Sequence, residues 1–199
     1  MSTHETAAAP PGILDRIRRE TQAQHKSLER AFRILDPGLT SAAYRHWLER
    51  LYGLHAGFEA AIEPWAEALD IDWESRRKTP WLRQDLRYLG LSEAELCGIA
   101  PCDAVPELGS LGRAFGALYV LEGSTLGGRL IAQTLEKRLG LTPTSGGSFF
   151  QAYGELLQPR WLSFRERLTA AATTADLERE MIEAACETFA AFEYWLTQS

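Results

Sequence analysis

Apolar residues recur at steps of three or four along most of the chain, which is the spacing of amphipathic helices. The first such stripe comprises Leu14, Ile17, Thr21, His25, Leu28 and Phe32. The second comprises Tyr44, Trp47, Leu48, Leu51, His55, Phe58 and Ile62. No segment of the sequence alternates convincingly with the period of two that strands show. The pattern therefore predicts an all-α protein.

Residues with known capping and breaking behaviour mark the helix ends in the first half of the chain. Proline is favoured in the first turn of a helix and ends or kinks a helix elsewhere. The predicted signals are the Asp36–Gly38 turn, a cap at Thr40 or Ser41, a break at Pro64, a Thr79 cap followed by Pro80, and a Ser92–Glu95 capping box flanked by Leu91 and Leu96.

The second half continues the helical pattern around a glycine run. A helix is predicted from Leu111 through the run to about Leu139, and residues 145–148 form a loop. Phe149–Leu156 and Trp161–Leu168 also have helical spacing. The last helix, from about Asp176, carries on one face Leu177, Met181, Ala184, Ala185, Thr188, Phe192 and Trp195. Residues 1–11 are expected to be a disordered tail, and 12–199 to form one domain.

Composition narrows the class of protein. The chain has 199 residues, 45% of them hydrophobic, and a net charge of -6. This acidity argues against a nucleic-acid partner, because such domains usually carry a basic excess. From the sequence we expect neither a secretory signal nor a membrane span. Cys97, Cys102 and Cys186 have no metal-site spacing, so we expect reduced thiols in a cytoplasmic protein, with Cys186 buried as a small apolar residue.

The glycine run should destabilise a continuous helix. Gly123, Gly127 and Gly128 lie inside the predicted helix, and each costs about 0.5–1 kcal/mol relative to alanine. Gly123 and Gly127, four residues apart, would allow two helices to pack closely. The adjacent Gly128 would widen the bare surface and favour a bend, as a flat ligand lying against the backbone requires. Both interpretations remain open.

Two histidines lie on apolar stripes. His25 is either a core residue bonded to a carbonyl or hydroxyl group, or a ligand to iron whose other ring nitrogen is held by Glu29, one turn later. His55 is the rival ligand. His46 lies on a more polar face and His4 in the tail, so neither is a serious candidate.

Arginines could hold the carboxylates of an anionic ligand. Arg18 lies two turns before His25, and Arg165 and Arg167 flank Glu166. The alternative for each is a solvated pair with a glutamate. A basic run comprises Arg76, Arg77, Lys78, Arg83 and Arg87. This run could dock an acidic partner protein, but a solvated loop and helix face is the preferred interpretation.

Four segments occur in a fixed order. They are T-x-x-x-H-x-x-L-E at 21–29, Y-V-L-E-G-S-T-L-G-G at 119–128, W-x-x-F-R-E-R-L at 161–168 and A-A-C-E-T-F-x-x-F at 184–192. Together they resemble bacterial heme oxygenases of the biliverdin-producing type. The resemblance implies an all-α, heme oxygenase-like helical bundle with heme held between a proximal helix and a kinked, glycine-rich distal helix.

The resemblance also implies roles for individual residues. His25 would be the proximal ligand of the heme iron, and Arg165 and Arg18 would bind heme propionates. Gly123, Gly127 and Gly128 would form the distal helix. Thr21, Glu29 and Phe189 lie in the matching segments and would contribute to the heme site. Many family members have an aspartate after the first distal glycine, but this chain has Ser124, which can organise water without carrying that charge.

The implied reaction is oxidative opening of heme to biliverdin, with release of iron and carbon monoxide. It uses dioxygen and electrons from a ferredoxin or an NAD(P)H-dependent reductase, and a bacteriophytochrome is a possible acceptor of the biliverdin. Two alternatives stay open: a heme-binding carrier on the same fold that does not turn over, and a helical domain without heme in which His25 is a core residue.

Overall fold

A computed structural model describes residues 11–198, and its regular secondary structure consists of helices. Its α-helices are α1 (Ile13–Glu20), α2 (Gln22–Ala31), α3 (Ser41–Ile62), α4 (Ala66–Leu69), α5 (Thr79–Tyr88), α6 (Glu93–Cys97), α7 (Leu111–Ser124), α8 (Gly128–Leu139), α9 (Leu157–Ala171) and α10 (Ala175–Thr197). Short 3-10 turns occupy Glu63–Trp65, Glu74–Arg76, Thr125–Gly127, Phe149–Gln151 and Gly154–Leu156. Within the described residues, β pairing is limited to isolated bridges at Thr142, so the all-α prediction is confirmed. The predicted tail falls almost entirely outside the described residues.

Side-chain caps begin several helices where the sequence predicts them. The Thr40 hydroxyl accepts from the Ala43 amide at 3.2 Å and begins α3. Ser92 and Glu95 form the predicted capping box at the start of α6. Near Pro64, α3 gives way to the 3-10 turn Glu63–Trp65. These predictions are confirmed because each depends on chemistry within four residues.

The first predicted helix is interrupted at Thr21. The Thr21 side chain is buried, and its hydroxyl donates to the Ile17 carbonyl at 2.8 Å. Helical backbone bonds continue on both sides, from Thr21 N to Ile17 O and from His25 N to Thr21 O, each 2.9 Å long. A hydroxyl bonded back one turn bends a helix. The prediction of one uninterrupted helix is therefore wrong, and α2 leaves α1 at a bend.

The start of α5 differs by one residue from the prediction. Lys78 is the N-cap, and Thr79 is the first helical residue. The acceptor for the free amides comes instead from α3: Glu59 binds the Lys78 and Thr79 amides at 2.5 and 3.0 Å, and the Thr79 hydroxyl at 2.6 Å. A buried carboxylate that accepts from a helix N-terminus needs no local cap. Thr79 therefore acts as a donor to Glu59 and not as a cap.

Helix α10 is the central support of the fold. It packs against α1, α2, α3 and α7. Its contact with α7 is close, because a Cβ atom at Gly116 would lie 2.2 Å from the Met181 carbonyl oxygen. The predicted apolar face of α10 is buried from Met181 to Phe192, and Leu177 and Trp195 at its ends are half-buried. Helix α2, which carries His25, and helix α7, which leads into the glycine run, thus share one neighbour.

The predicted bend at the glycine run is confirmed. Helix α7 ends at Ser124, the 3-10 turn Thr125–Gly127 follows, and α8 starts at Gly128. The segment 149–156, by contrast, forms two separate 3-10 turns and not one helix. The first of these turns is fixed by Asp85, whose carboxylate accepts from the Ser148 and Phe149 amides at 2.8 Å.

Candidate functional site

His25 lies on the surface of α2. Its side chain is 57% exposed, and its Nδ1 atom lies 3.5 Å from Glu29 Oε2. The Phe189 ring of α10 meets the imidazole edge-on, with 5.8 Å between ring centroids. The interpretation of His25 as a core residue is therefore wrong. Because Nδ1 is directed to Glu29, Nε2 is the ring nitrogen whose lone pair is available to bind a metal ion.

The surface of α2 around His25 is incompletely covered. Every residue of α2 is at least partly exposed, including the apolar Leu28, although the helix packs against α10. An amphipathic helix ordinarily buries its apolar stripe. The half-covered stripe therefore leaves apolar surface beside the imidazole, where a flat apolar ligand can bind.

The three glycines of the bend have different surroundings. A Cβ atom at Gly127 would have no neighbour within 4 Å among the described residues, and one at Gly123 would have its nearest neighbour, a Trp161 ring atom, at 3.8 Å. A Cβ atom at Gly128 would lie 2.4 Å from the Phe150 carbonyl oxygen. Close packing therefore explains Gly128 alone, and the prediction that Gly128 widens the bare surface is wrong. Gly123 and Gly127 provide the uncovered backbone.

Ser124 is exposed at the end of α7. Its hydroxyl donates to the Leu121 carbonyl at 2.7 Å. The proton of this hydroxyl is thus engaged within the helix, and its oxygen lone pairs remain able to accept from water.

Arg18 of α1 and Arg165 of α9 are exposed and share a neighbour on α7. Burial raises the pKa of Tyr119, and the charges of both guanidinium groups oppose that rise. Both guanidinium groups thus lie near enough to Tyr119 for their charges to act on its hydroxyl. Arg167 is directed elsewhere and pairs with Asp70.

Thr21 and Phe189 occupy interior positions, with exposures of 3% and 6%. The Thr21 hydroxyl is used within α1, as described above, so this residue shapes the bend that precedes His25. Phe189 supports the imidazole from beneath. Cys186, on the same helix, is partly exposed, which contradicts the expectation of a buried residue.

The basic run does not form one solvated face. Arg76 and Lys78 are 5% and 2% exposed and both bind Glu122, which is 1% exposed. Arg83 and Arg87 are exposed and pair with Glu93. The expectation of a solvated face or a docking patch is therefore wrong for Arg76 and Lys78.

Sequence reasoning missed Glu122 and its partner Tyr153. Glu122 follows Leu118 by four residues on the buried side of α7, and its Oε1 atom accepts from the Tyr153 hydroxyl at 2.7 Å. Burial lowers the pKa of Lys78, an effect that the Glu122 carboxylate opposes. An acidic residue in phase with an apolar stripe was the available signal, because a buried carboxylate requires cationic or hydrogen-bonding partners.

His55, the rival ligand, is enclosed. It is 1% exposed, and the rings of Phe149 and Phe192 pack against it edge-on. Its Nδ1 atom has no hydrogen-bond partner in the described part of the chain. Burial, aided by the charge of Lys78, lowers the pKa of His55 to about 3. His55 is therefore a neutral core histidine and not an accessible ligand.

Residues 11–198 contain neither a cluster of metal-binding side chains nor a helix that could span a membrane. Within this range no three His, Cys, Asp or Glu side chains come together as a metal cage. The same residues include no helix with the length and apolar character needed to span a bilayer.

Comparison with known proteins identifies the family. The heme oxygenase family model matches residues 12–198. A heme oxygenase from Xanthomonas campestris is 43% identical over 98 residues, which are 48% of this chain and 54% of that protein. The chain thus aligns with about half the length of this curated relative.

Solved structures of heme oxygenases share the fold. The enzyme from Neisseria meningitidis, crystallised with NO and CO, has a TM-score of 0.79 at 22% identity over 94% of this chain and 91% of that one. The enzyme from Leptospira interrogans has a TM-score of 0.79 at 17% identity, over 94% and 99% of the two chains. Heme oxygenase-1 from Synechocystis, in complex with heme, has a TM-score of 0.76 at 13% identity, over 94% and 91%. With nearly the whole chain matched by the family model, this protein belongs to the heme oxygenase family.

Proposed function

We propose that this protein opens heme to biliverdin and releases carbon monoxide and iron, using dioxygen and external electrons. The observation that carries the proposal is an exposed imidazole on α2 combined with uncovered backbone at Gly123 and Gly127. Helices α2 and α7 both pack against α10. One rigid support thus carries a ligand for iron and a surface that accepts a flat ring.

The residues of α2 fit the proximal side of heme. His25 Nε2 would bind the iron, while Glu29 Oε2, 3.5 Å from Nδ1, would hold the ring orientation and the tautomer. Phe189 packs against the imidazole from the interior and limits its rotation. Thr21 fixes the bend from which α2 leaves α1, and so sets where the imidazole lies.

The bend between α7 and α8 fits the distal side. Gly123 and Gly127 have space where side chains would otherwise stand, and Gly128 keeps the bend packed against Phe150. Arg18 and Arg165 would bind the heme propionates, because exposed guanidinium groups pair readily with carboxylates. The charges of both arginines act on Tyr119, four residues before Gly123, and this supports the assignment.

Ser124 would organise water on the distal side. Its oxygen can accept a hydrogen bond from water while its O–H group donates to the Leu121 carbonyl. It carries no charge with which to deliver protons. This observation favours the second candidate function, a heme carrier that does not turn over.

Bound heme would supply the iron centre and also the ring that is opened. Electrons would come from a ferredoxin or an NAD(P)H-dependent reductase, and a bacteriophytochrome would be one acceptor for the product. The role of the chain is to bind and orient the ring, hold the imidazole, and keep an uncharged distal surface.

The test is an absorption titration with hemin, followed by ascorbate or reduced ferredoxin in air. Wild type is compared with His25→Ala, and His46→Ala serves as the matched control, because His46 is an exposed histidine of α3. We expect a saturable, one-to-one Soret band that only His25→Ala alters, followed by a biliverdin band in wild type.

Two other outcomes are informative. A Soret band that persists or only bleaches after reduction would indicate a heme carrier and would direct attention to Ser124. The absence of saturable binding to wild type would refute both heme functions.

A further inference from the structure

A buried carboxylate lies immediately before the first glycine of the bend. Glu122 is 1% exposed, and it accepts from three donors: Arg76 Nη1 at 2.5 Å, Lys78 Nζ at 3.0 Å and the Tyr153 hydroxyl at 2.7 Å. Lys78 Nζ also donates to the Tyr153 hydroxyl and, at 2.6 Å, to the Arg76 carbonyl. We call Glu122, Arg76, Lys78 and Tyr153 the Glu122 junction.

The Glu122 junction joins three separate parts of the chain and contacts a fourth, α9. Arg76 belongs to the 3-10 turn Glu74–Arg76, and Tyr153 lies between two other 3-10 turns. Arg76 Nη2 donates to the Arg160 carbonyl of α9 at 3.2 Å. The Arg160 guanidinium in turn lies 4.6 Å from the centroid of the Tyr153 ring. The last turn of α7 is thus held from several directions.

This arrangement is suited to fixing a position and is a poor source of net stability. The desolvation of buried charges offsets much of the electrostatic attraction between them, and well-packed apolar residues often stabilise a protein equally well. Directional bonds have a different consequence, since they allow one orientation of the carboxylate. The next residue, Gly123, has no side chain of its own to anchor it, so its position depends on its neighbours.

We propose that Glu122 is a positioning residue that holds the end of α7, so that Gly123 and Gly127 present their uncovered backbone to the bound ligand. The inference rests on the proposed function for the identity of that ligand, heme. The junction fixes the register of the bend, and the register determines which edge of the ring the distal backbone leaves accessible.

The first test uses heme-free protein and therefore does not depend on the proposed function. Amide hydrogen exchange of residues 121–128 is measured in wild type, Glu122→Gln and Leu54→Ala. Leu54 is a fully buried residue of α3 that takes part in none of the hydrogen bonds of the junction, and its truncation lowers global stability. We expect exchange in the bend to accelerate about tenfold or more in Glu122→Gln, and to exceed that in Leu54→Ala under conditions where the two variants are equally stable.

The second test uses the hemin complexes of the same variants. We expect Glu122→Gln to change the ferric absorption spectrum and the ratio of biliverdin isomers, and Leu54→Ala to retain both. If Glu122→Gln matches Leu54→Ala in exchange, spectrum and isomer ratio, the junction acts through stability alone and the proposal is refuted.

If Glu122→Gln does not fold, the milder variant Tyr153→Phe takes its place in both tests. Tyr153→Phe removes one hydroxyl and leaves both charged pairs in place, and we expect the same changes at smaller size. Unchanged exchange in the bend of Tyr153→Phe would then refute the proposal by itself. Failure of wild type to bind hemin would refute the proposed function and leave the exchange result as the test of the junction.

Discussion

The glycines of the bend should separate into one that binds ligand and one that packs. The perturbations are Gly127→Ala and Gly128→Ala, which add the same methyl group at adjacent positions. Both residues have negative φ angles, -80° at Gly127 and -58° at Gly128. Alanine therefore adopts either backbone conformation without strain, and the two variants differ only in what the methyl group meets.

The contact distances predict opposite effects on stability. At Gly128 the methyl group would lie 2.4 Å from the Phe150 carbonyl oxygen, a backbone atom that moves only if its 3-10 turn moves. Overpacking of this kind costs about 1–3 kcal/mol. At Gly127 the methyl group has free space among the described residues, so alanine should stabilise the heme-free protein by up to about 1 kcal/mol through helix propensity.

Hemin affinity should show the reverse order. A methyl group at position 127 projects into the space assigned to the ring, and overpacking of about 1–3 kcal/mol corresponds to roughly five- to 150-fold weaker binding. Gly128→Ala places its methyl group against Phe150. The hemin affinity of the folded Gly128→Ala protein should therefore fall less than that of Gly127→Ala.

The assays are denaturant unfolding of the heme-free proteins and hemin titration under conditions where both variants are folded. If Gly127→Ala is destabilised while Gly128→Ala is not, the assignment of the two glycines is wrong. If Gly127→Ala binds hemin as tightly as wild type, the uncovered backbone does not face the ligand.

Two further predictions concern His55 and Arg165. The pKa of His55 is lowered to about 3 in the folded protein, from about 6.5 when unfolded. The unfolded state thus binds an extra proton as pH falls below about 6.5, and lowering the pH from about 7 to 5 should remove about 2 kcal/mol from the free energy of unfolding. Denaturant unfolding of wild type and His55→Leu over this pH range measures the effect. Equal dependence of the two unfolding free energies on pH would contradict the prediction. Arg165→Ala should weaken hemin binding about two- to fivefold, most clearly at low salt. Arg167→Ala should leave the affinity unchanged, because the Arg167 guanidinium pairs with Asp70. Equal losses of hemin affinity in the two variants would contradict the assignment of Arg165 to a propionate.

The sequence predicts those parts of the fold that depend on near neighbours. The Thr40 cap, the Ser92–Glu95 capping box and the break near Pro64 involve residues at most four apart. The bend at the glycine run is predicted on the same grounds, because a helix interior tolerates three glycines poorly. The start of α5 is displaced because its amides find Glu59, which is 19 residues from Lys78.

The candidate site is predictable in part. His25, Gly123 and Gly127 were identified from the sequence, and their exposure fits the roles assigned to them. Arg76 and Lys78 were misjudged because their partner is remote: Glu122 is 46 residues from Arg76 and 44 from Lys78. A run of basic residues on a loop is usually solvated, and nothing within the run indicates that a distant carboxylate buries two of its members.

In the segment from Glu122 to Gly128, the sequence predicts the bend but not the separate roles of its glycines. Its hydrophobic pattern is continuous, yet it combines three separate demands: Glu122 anchors the helix end, Gly123 and Gly127 leave backbone bare, and Gly128 admits the Phe150 carbonyl. Small residues satisfy the second and third demands equally well, so residue type alone cannot distinguish them. What distinguishes them is the neighbour that each Cβ atom would meet, and that neighbour is supplied by Phe150, remote in sequence. The bend is therefore encoded locally, whereas the division of roles within it is set by tertiary contacts.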